Sequence, residues 1–159
     1  MFRPMLRKNF ALSQEECIDI LKAETRGVLS VHGEDGYPYG TPMNHFYNED
    51  DGCIYFHCGY YKSHRTDALT KDPRVSFCVY TGGERAEGDW FYKVKSVVVF
   101  GKIEVIDDMD RIADVCARLS RKFTQDEEYI KKEIKESAHH TLLLCLTIDH
   151  MTGKRVNEK

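Results

Sequence analysis

The sequence lacks the features that would place it in a membrane or on nucleic acid. No apolar run approaches the about 20 residues that a membrane span needs, and the opening residues MFRPMLRKNF have no apolar segment of the secretory type. The formal net charge is −3 and the sequence pI is near 6.2, which leaves no excess of cations for binding nucleic acid. We therefore expect a cytoplasmic protein with no membrane and no nucleic-acid partner.

The usual signatures of disulfide, metal and hydrolytic sites are also missing. The chain has six cysteines but no CxxC pair, and each lies in an apolar stretch, which favours reduced core thiols. His57 and Cys58 are neighbours on a predicted strand and point to opposite faces, so they do not predict a metal site. Neither a GxSxG elbow nor the GxxxxGKS spacing of a P-loop occurs.

The composition favours a single domain with a sheet-rich core. A globule of 159 residues buries roughly 70% of its unfolded surface. Residues 1–159 can therefore form one domain that needs no disulfide bond or structural metal ion for stability. Nine Tyr and eight Phe against one Trp are typical of a core built on strands. The expected fold class is therefore mainly β.

Local patterns predict the order of the elements in the first half of the chain. Ser13 and Glu16 have the spacing of a capping box, so a helix should begin at Ser13 and stop by Gly27. From Val28 the apolar period is two, the residues Asp35 and Gly36 form a hairpin signal, and one strand should then run from Tyr39 through TPMNHFY. CIYFHC follows as the next strand.

The second half predicts three more strands and three helices. A short helix over about 64–70 leads to the strand VSFCVYT. The longest strand signal covers about 93–106, where the side chains of SVVVFG are apolar on both faces of the strand. Two helices follow, one capped within 107–110 and one over 126–137, and TLLLCLTID is the last buried strand. We expect about six strands in antiparallel hairpins with helices packed outside.

The segment CIYFHCGYYKSHRTDAL suggests a phosphate site. It runs from a strand through a turn into a helix whose first turn gathers Lys62, Ser63, His64, Arg65 and Thr66. Cations, hydroxyls and unpaired helix N–H groups together can hold a phosphate. The alternative is a capped surface helix with a solvated basic turn, in which Ser63 and Thr66 only cap and Arg65 pairs with an acid.

Four segments in order, GYPYGTPMNHFY, IYFHCGYYKSHRTDAL, KDPRVSFCVY and KSVVVFGKIEVI, carry a family resemblance. They resemble the FMN-binding split barrel of the pyridoxamine 5′-phosphate oxidase-like superfamily, and most of all its nitroimidazole-resistance (Nim-type) flavoproteins, over about 7–154. The resemblance implies a six-stranded antiparallel split barrel with flanking helices. It also implies a homodimer with FMN at the subunit interface.

The resemblance assigns roles to residues by position. Asn44 and its neighbours match the segment that contacts the flavin ring edge, Lys62 to Arg65 match the phosphate turn, and His64 matches the position near the reactive face, which makes it the candidate catalytic residue. Trp90, Phe91 and Tyr92 are further candidates for an interface or for lining the ring, and the alternative is that they form a small satellite core. The candidate cofactor-binding residues are Thr41, Pro42, Met43, Asn44, His57, Cys58, Lys62, Ser63, His64, Arg65, Ser96, Val97 and Lys154.

The same resemblance implies an activity. The chain has Val94 where many relatives have Tyr and Ser63 where they have Gly, and MTGKRVNEK has no counterpart of the segment that binds vitamin B6 substrates. The implied function is an FMN-dependent oxidoreductase that takes electrons from NADH or NADPH and reduces a small flat acceptor, such as a nitroaromatic of the 5-nitroimidazole type. The alternatives are a flavin-binding storage or sensor module without turnover, or the same fold holding haem or a deazaflavin.

Overall fold

The computed structural model describes residues 1–59 and 62–157, in which seven strands and four α-helices are found. Tyr60 and Tyr61, in the turn before the basic helix, lie outside the described residues. The helices are α1 (Gln14–Ala23), α2 (His64–Lys71), α3 (Met109–Ser120) and α4 (Glu127–Ser137). The strands are β1 (Arg26–His32), β2 (Pro38–Asn44), β3 (Phe46–Asn48), β4 (Cys53–Gly59), β5 (Arg74–Tyr80), β6 (Lys93–Ile106) and β7 (Thr141–Asn157).

The strands form one antiparallel sheet in the order β2-β1-β5-β6-β7-β4-β3, with β2 and β3 at its two edges. The long strands β6 and β7 pair along their length, and a register shift between Phe100 and Gly101 leaves Asp149 without a partner in the ladder. The sheet curls into a half-barrel with flanking helices. The predicted mainly β split barrel is therefore confirmed.

The structure has one strand more than expected because the predicted strand TPMNHFY is two. It breaks at His45, so that β2 pairs with β1 at one edge and β3 pairs with β4 at the other. His45 is fully buried, and its Nε2 lies 2.8 Å from the carbonyl oxygen of Leu21. Lys122 holds the same region by donating to the carbonyl oxygens of Leu21, Glu24 and His45 at 3.3, 2.6 and 3.2 Å.

The main core lies inside the curl. Alternate residues of the strands, such as Leu29, Phe77 and Val99, meet there with Cys17 and Leu21 of α1 and with two residues of α2. A second, smaller core lies outside β4 and the start of β7, where α3 packs through Ile112 and Val115. Helix α4 packs on α3 and has only Ile130 buried among its described residues.

The capping predictions are confirmed at the residues that the sequence singled out. Ser13 accepts from the Glu16 backbone N–H while the Glu16 carboxylate accepts from the Ser13 N–H, although α1 ends at Ala23, short of Gly27. Asp108 and Asp126 cap α3 and α4. Within the described residues, no helix is both long and apolar enough to span a bilayer.

Candidate functional site

Arg65 is the centre of a polar cluster at the edge of the sheet. Its Nη1 donates to the Thr41 hydroxyl and to the Met43 sulfur, both at 3.3 Å. Its Nε is buried and has no acceptor among the described residues. A half-buried guanidinium with a spare donor can take an anion, because a carboxylate or phosphate oxygen would pair with the Nε–H group.

The start of α2 adds donors beside Arg65. The Ser63 hydroxyl accepts from the Thr66 N–H at 3.2 Å, and the Ser63 N–H donates to the Thr66 hydroxyl at 2.8 Å. Capping therefore occupies Ser63, as the alternative interpretation of the sequence had it. The N–H groups of His64 and Arg65, in the first turn, have no intrahelical acceptor and carry the positive end of the helix dipole.

His64 is held against the β1–β2 hairpin. Its ring stacks on Tyr39 with centroids 4.2 Å apart and planes 18° apart. Glu34 in the hairpin turn pairs with Lys71 of α2, and the pKa of Glu34 is lowered first by Lys71 and then by the nearby charges of His64 and Lys62. These contacts fix how the first turn of α2 sits over β2.

Lys62 lies along another side of the helix. It lines a groove of about 400 Å³ with Thr66, Thr70 and Asp107, whereas Arg65 reaches toward β2. The predicted basic turn is therefore one short helix start whose cations point in two directions.

A second set of predicted residues lies on the outer face of the sheet. Asn44 accepts at Oδ1 from Arg26 Nε at 2.9 Å, and Ser96 of β6 is directly opposite Lys154 of β7. Pro42 belongs to the same face, because it pairs with Val28 on the side away from the core. Thr41 and Met43 alternate with these residues and turn to the inner side, so the two sets lie on opposite faces of the sheet.

The outer face carries an open cavity. It has a volume of about 420 Å³ and a floor that includes Ser30 and Ser76, with Phe100, Arg74 and His32 around it. Phe2 stacks over His150 at 4.6 Å at one side. None of the described residues that line this cavity belongs to an α-helix.

The remaining predicted residues are not brought to either set. Val97 is fully buried and Cys58 is buried in the main core, so neither offers its side chain to a ligand there. His57 points to the other face of β4, toward α3 and α4. Of the aromatic trio, Trp90 is exposed and Phe91 is buried.

Sequence reasoning missed Tyr39. The signal was present, because Tyr39, Thr41 and Met43 alternate along β2 and therefore share one face. No group of three His, Cys, Asp or Glu side chains in the described part of the chain is placed to hold a metal ion.

Comparisons with known proteins add the family context. The model of the family described as pyridoxamine 5′-phosphate oxidase matches residues 13–155. No curated protein matches the chain.

Several solved structures share the fold. A Bacteroides thetaiotaomicron protein assigned provisionally to 5-nitroimidazole antibiotic resistance has a TM-score of 0.75 at 20% identity, over 92% of this chain and 87% of its own. A conserved hypothetical protein from Mycobacterium tuberculosis has a TM-score of 0.80 at 20% identity, over 95% and 90%. An FAD-binding protein from Mesorhizobium loti has a TM-score of 0.63 at 24% identity, over 92% and 96%.

Proposed function

Since the chain belongs to the pyridoxamine 5′-phosphate oxidase family, we propose that it is a flavin-dependent oxidoreductase that binds FMN. The observation that carries the proposal is the Arg65 cluster, in which a buried Nε with no acceptor among the described residues lies beside helix N–H groups that have no intrahelical acceptor. The FMN phosphate is the dianion that this arrangement suits.

The phosphate would lie between Arg65 and the first turn of α2. Arg65 supplies a directional charged donor, and the backbone N–H groups of His64 and Arg65 supply neutral ones. Thr41 and Met43 hold the guanidinium in place through Nη1. Lys62 adds charge from the side of the helix, and Ser63 acts through the cap that fixes the turn.

The two sets of candidate residues support a homodimer with the flavin between subunits. Asn44, Ser96 and Lys154 lie on the outer face, and the Arg65 cluster lies at the inner edge. Within one chain the sheet separates Ser96 and Lys154 from the Arg65 cluster, but a second copy can bring its outer face to the cluster. The open cavity on this face, beside Phe100, leaves room for such an approach.

When bound, FMN supplies the redox chemistry, and the protein supplies position, polar contacts and exclusion of water. Asn44 offers both a donor and an acceptor to the ring edge. His64, held by its stack on Tyr39, orients the acceptor or donates a proton to it. NADH or NADPH is the proposed electron donor, and a small flat compound such as a nitroaromatic is the proposed acceptor.

Titration of the flavin-free protein with FMN and with riboflavin tests the phosphate site. Arg65→Ala should weaken FMN binding by about 1.5–3 kcal/mol for one lost charged hydrogen bond, and it should leave riboflavin binding unchanged because riboflavin has no phosphate. Lys135→Ala removes an exposed cation from α4 and serves as the control. If Arg65→Ala binds FMN as tightly as the parent protein, the phosphate assignment is wrong.

Anaerobic stopped-flow mixing of the FMN-loaded protein with NADH and with NADPH tests turnover. Bleaching of the flavin absorption by either donor supports the oxidoreductase. Tight FMN binding with no bleaching by either donor supports the storage or sensor module instead.

A further inference from the structure

A small cavity separates β4 from the helices α3 and α4. Its volume is about 220 Å³, and its apolar wall includes Leu119, Ile130 and Ile134. The cavity exists because α4 packs on α3 and makes few contacts with the sheet, so the space beneath the helix is not filled. The volume is below the about 300–1,000 Å³ of drug-sized sites, which limits an occupant to roughly ten non-hydrogen atoms.

Polar side chains without partners converge on this cavity. His57, Ser120 and Glu133 line it, and none of their side chains makes a hydrogen bond or ion pair with another described residue. Glu133, in the middle of α4, differs in this respect from the two acids of the first turn, because Glu127 pairs with Arg121 and Glu128 pairs with Lys131. A carboxylate left open at the mouth of an apolar cavity favours a ligand that carries a positive charge.

Tyr129 strengthens that preference. It lies four residues before Glu133 on α4, so the two side chains share one helix face, and both line the cavity. An ammonium group between them would gain an ion pair with Glu133 and a cation–π contact with the Tyr129 ring. His57 adds little opposing charge, because the protein around the ring lowers the pKa of His57 and so disfavours the imidazolium form.

We propose that this cavity binds a small organic amine, with its apolar body against Leu119 and Ile130 and its ammonium group at the mouth between Tyr129 and Glu133. The Glu133 carboxylate, the His57 imidazole and the Ser120 hydroxyl, which have no hydrogen-bond partner among the described residues, all line this cavity and supply its polar wall. The site is separate from the Arg65 cluster, since it lies on the opposite face of β4 from the core that α2 joins. It does not rest on the proposed flavin chemistry.

Calorimetry with three probes of one shape and different charge tests the proposal. The probes are 2-phenylethylamine, 2-phenylethanol and phenylacetate, and the expected order of affinity is amine, then alcohol, then acid. Glu133→Gln should weaken amine binding by about three- to five-fold, the size of an exposed ion pair, and leave the alcohol unchanged. Glu136→Gln changes an exposed acid on the same helix that does not line the cavity, and it should have no effect.

A second variant tests the location. Ile134→Trp fills the cavity and should abolish binding of the amine and the alcohol. Lys135→Trp, on the exposed side of α4, is the control. The unfolding transition of each variant shows whether it is folded. The proposal is overturned if phenylacetate binds as tightly as the amine. It is also overturned if the Ile134→Trp variant is folded and still binds the amine.

Discussion

Acid should destabilise the protein through His45. The ring is fully buried at the junction of β2 and β3, its Nδ1 has no partner among the described residues, and burial with the nearby Lys122 charge lowers its pKa from 6.5 to about 4. Below pH 6.5 the imidazole of the unfolded chain takes up a proton that the folded protein does not accept until the pH is near 4. Stability is therefore present above pH 6.5 and is lost as the pH falls toward 4.

The magnitude follows from the two pKa values. A folded pKa of about 4 against 6.5 corresponds to a loss of about 2 kcal/mol in the free energy of unfolding by pH 5, and about 3 kcal/mol when protonation of the folded state is complete. This loss exceeds what an exposed histidine produces. It is a large part of the about 5–15 kcal/mol by which a domain of this kind is stable.

Urea unfolding at pH 8 and at pH 5 measures the loss. His45→Gln keeps an N–H that can donate to the Leu21 carbonyl but removes the titrating ring, so its pH 8 to pH 5 difference should be about 2 kcal/mol smaller than that of the parent protein. His140→Gln, at an exposed site, should leave the difference unchanged. If His45→Gln and the parent protein lose equal stability over this range, the buried imidazole is not the cause and the reasoning fails.

Two further predictions concern packing and capping, and both are read from chemical denaturation. Gly153→Ala should cost about 1–3 kcal/mol, because a Cβ there would lie 2.4 Å from the Cys17 sulfur, whereas Gly82→Ala, with nothing within 4 Å, should change stability by less than about 0.5 kcal/mol. If the two substitutions change stability equally, the core around Gly153 adjusts to the added methyl group. Ser63→Ala should cost about 1 kcal/mol by removing the cap of the Thr66 N–H, and an unchanged stability would show that the cap contributes nothing.

The sequence predicted most elements well where a local rule decided them. The strand over 93–106 has the predicted bounds because SVVVFG is apolar on both faces, and the caps of the helices follow from single residues such as Ser13. The last strand was predicted as TLLLCLTID but runs on to 157. Alternation is lost at Asp149, where the bulge shifts the register against β6, and the residues beyond it are mostly polar.

The site was predicted in its parts and not in its arrangement. The basic turn does begin a helix, but the direction of each side chain depends on which face of α2 meets β2, and that is a tertiary contact. The sequence could not reveal that Arg65 reaches Thr41 while Lys62 turns to another groove. Ser96 and Lys154 lie side by side only because β6 and β7 pair in this register.

The position of β2 at the edge of the sheet explains where two of the four prolines lie. Pro38 and Pro42 are four residues apart, opposite His32 and Val28, so both occupy sites whose backbone nitrogen points away from β1. An exposed edge normally offers a row of N–H groups on which another chain can add a strand. Here two of those donors are absent, so this edge resists growth into aggregates while the strand keeps its full pairing with β1.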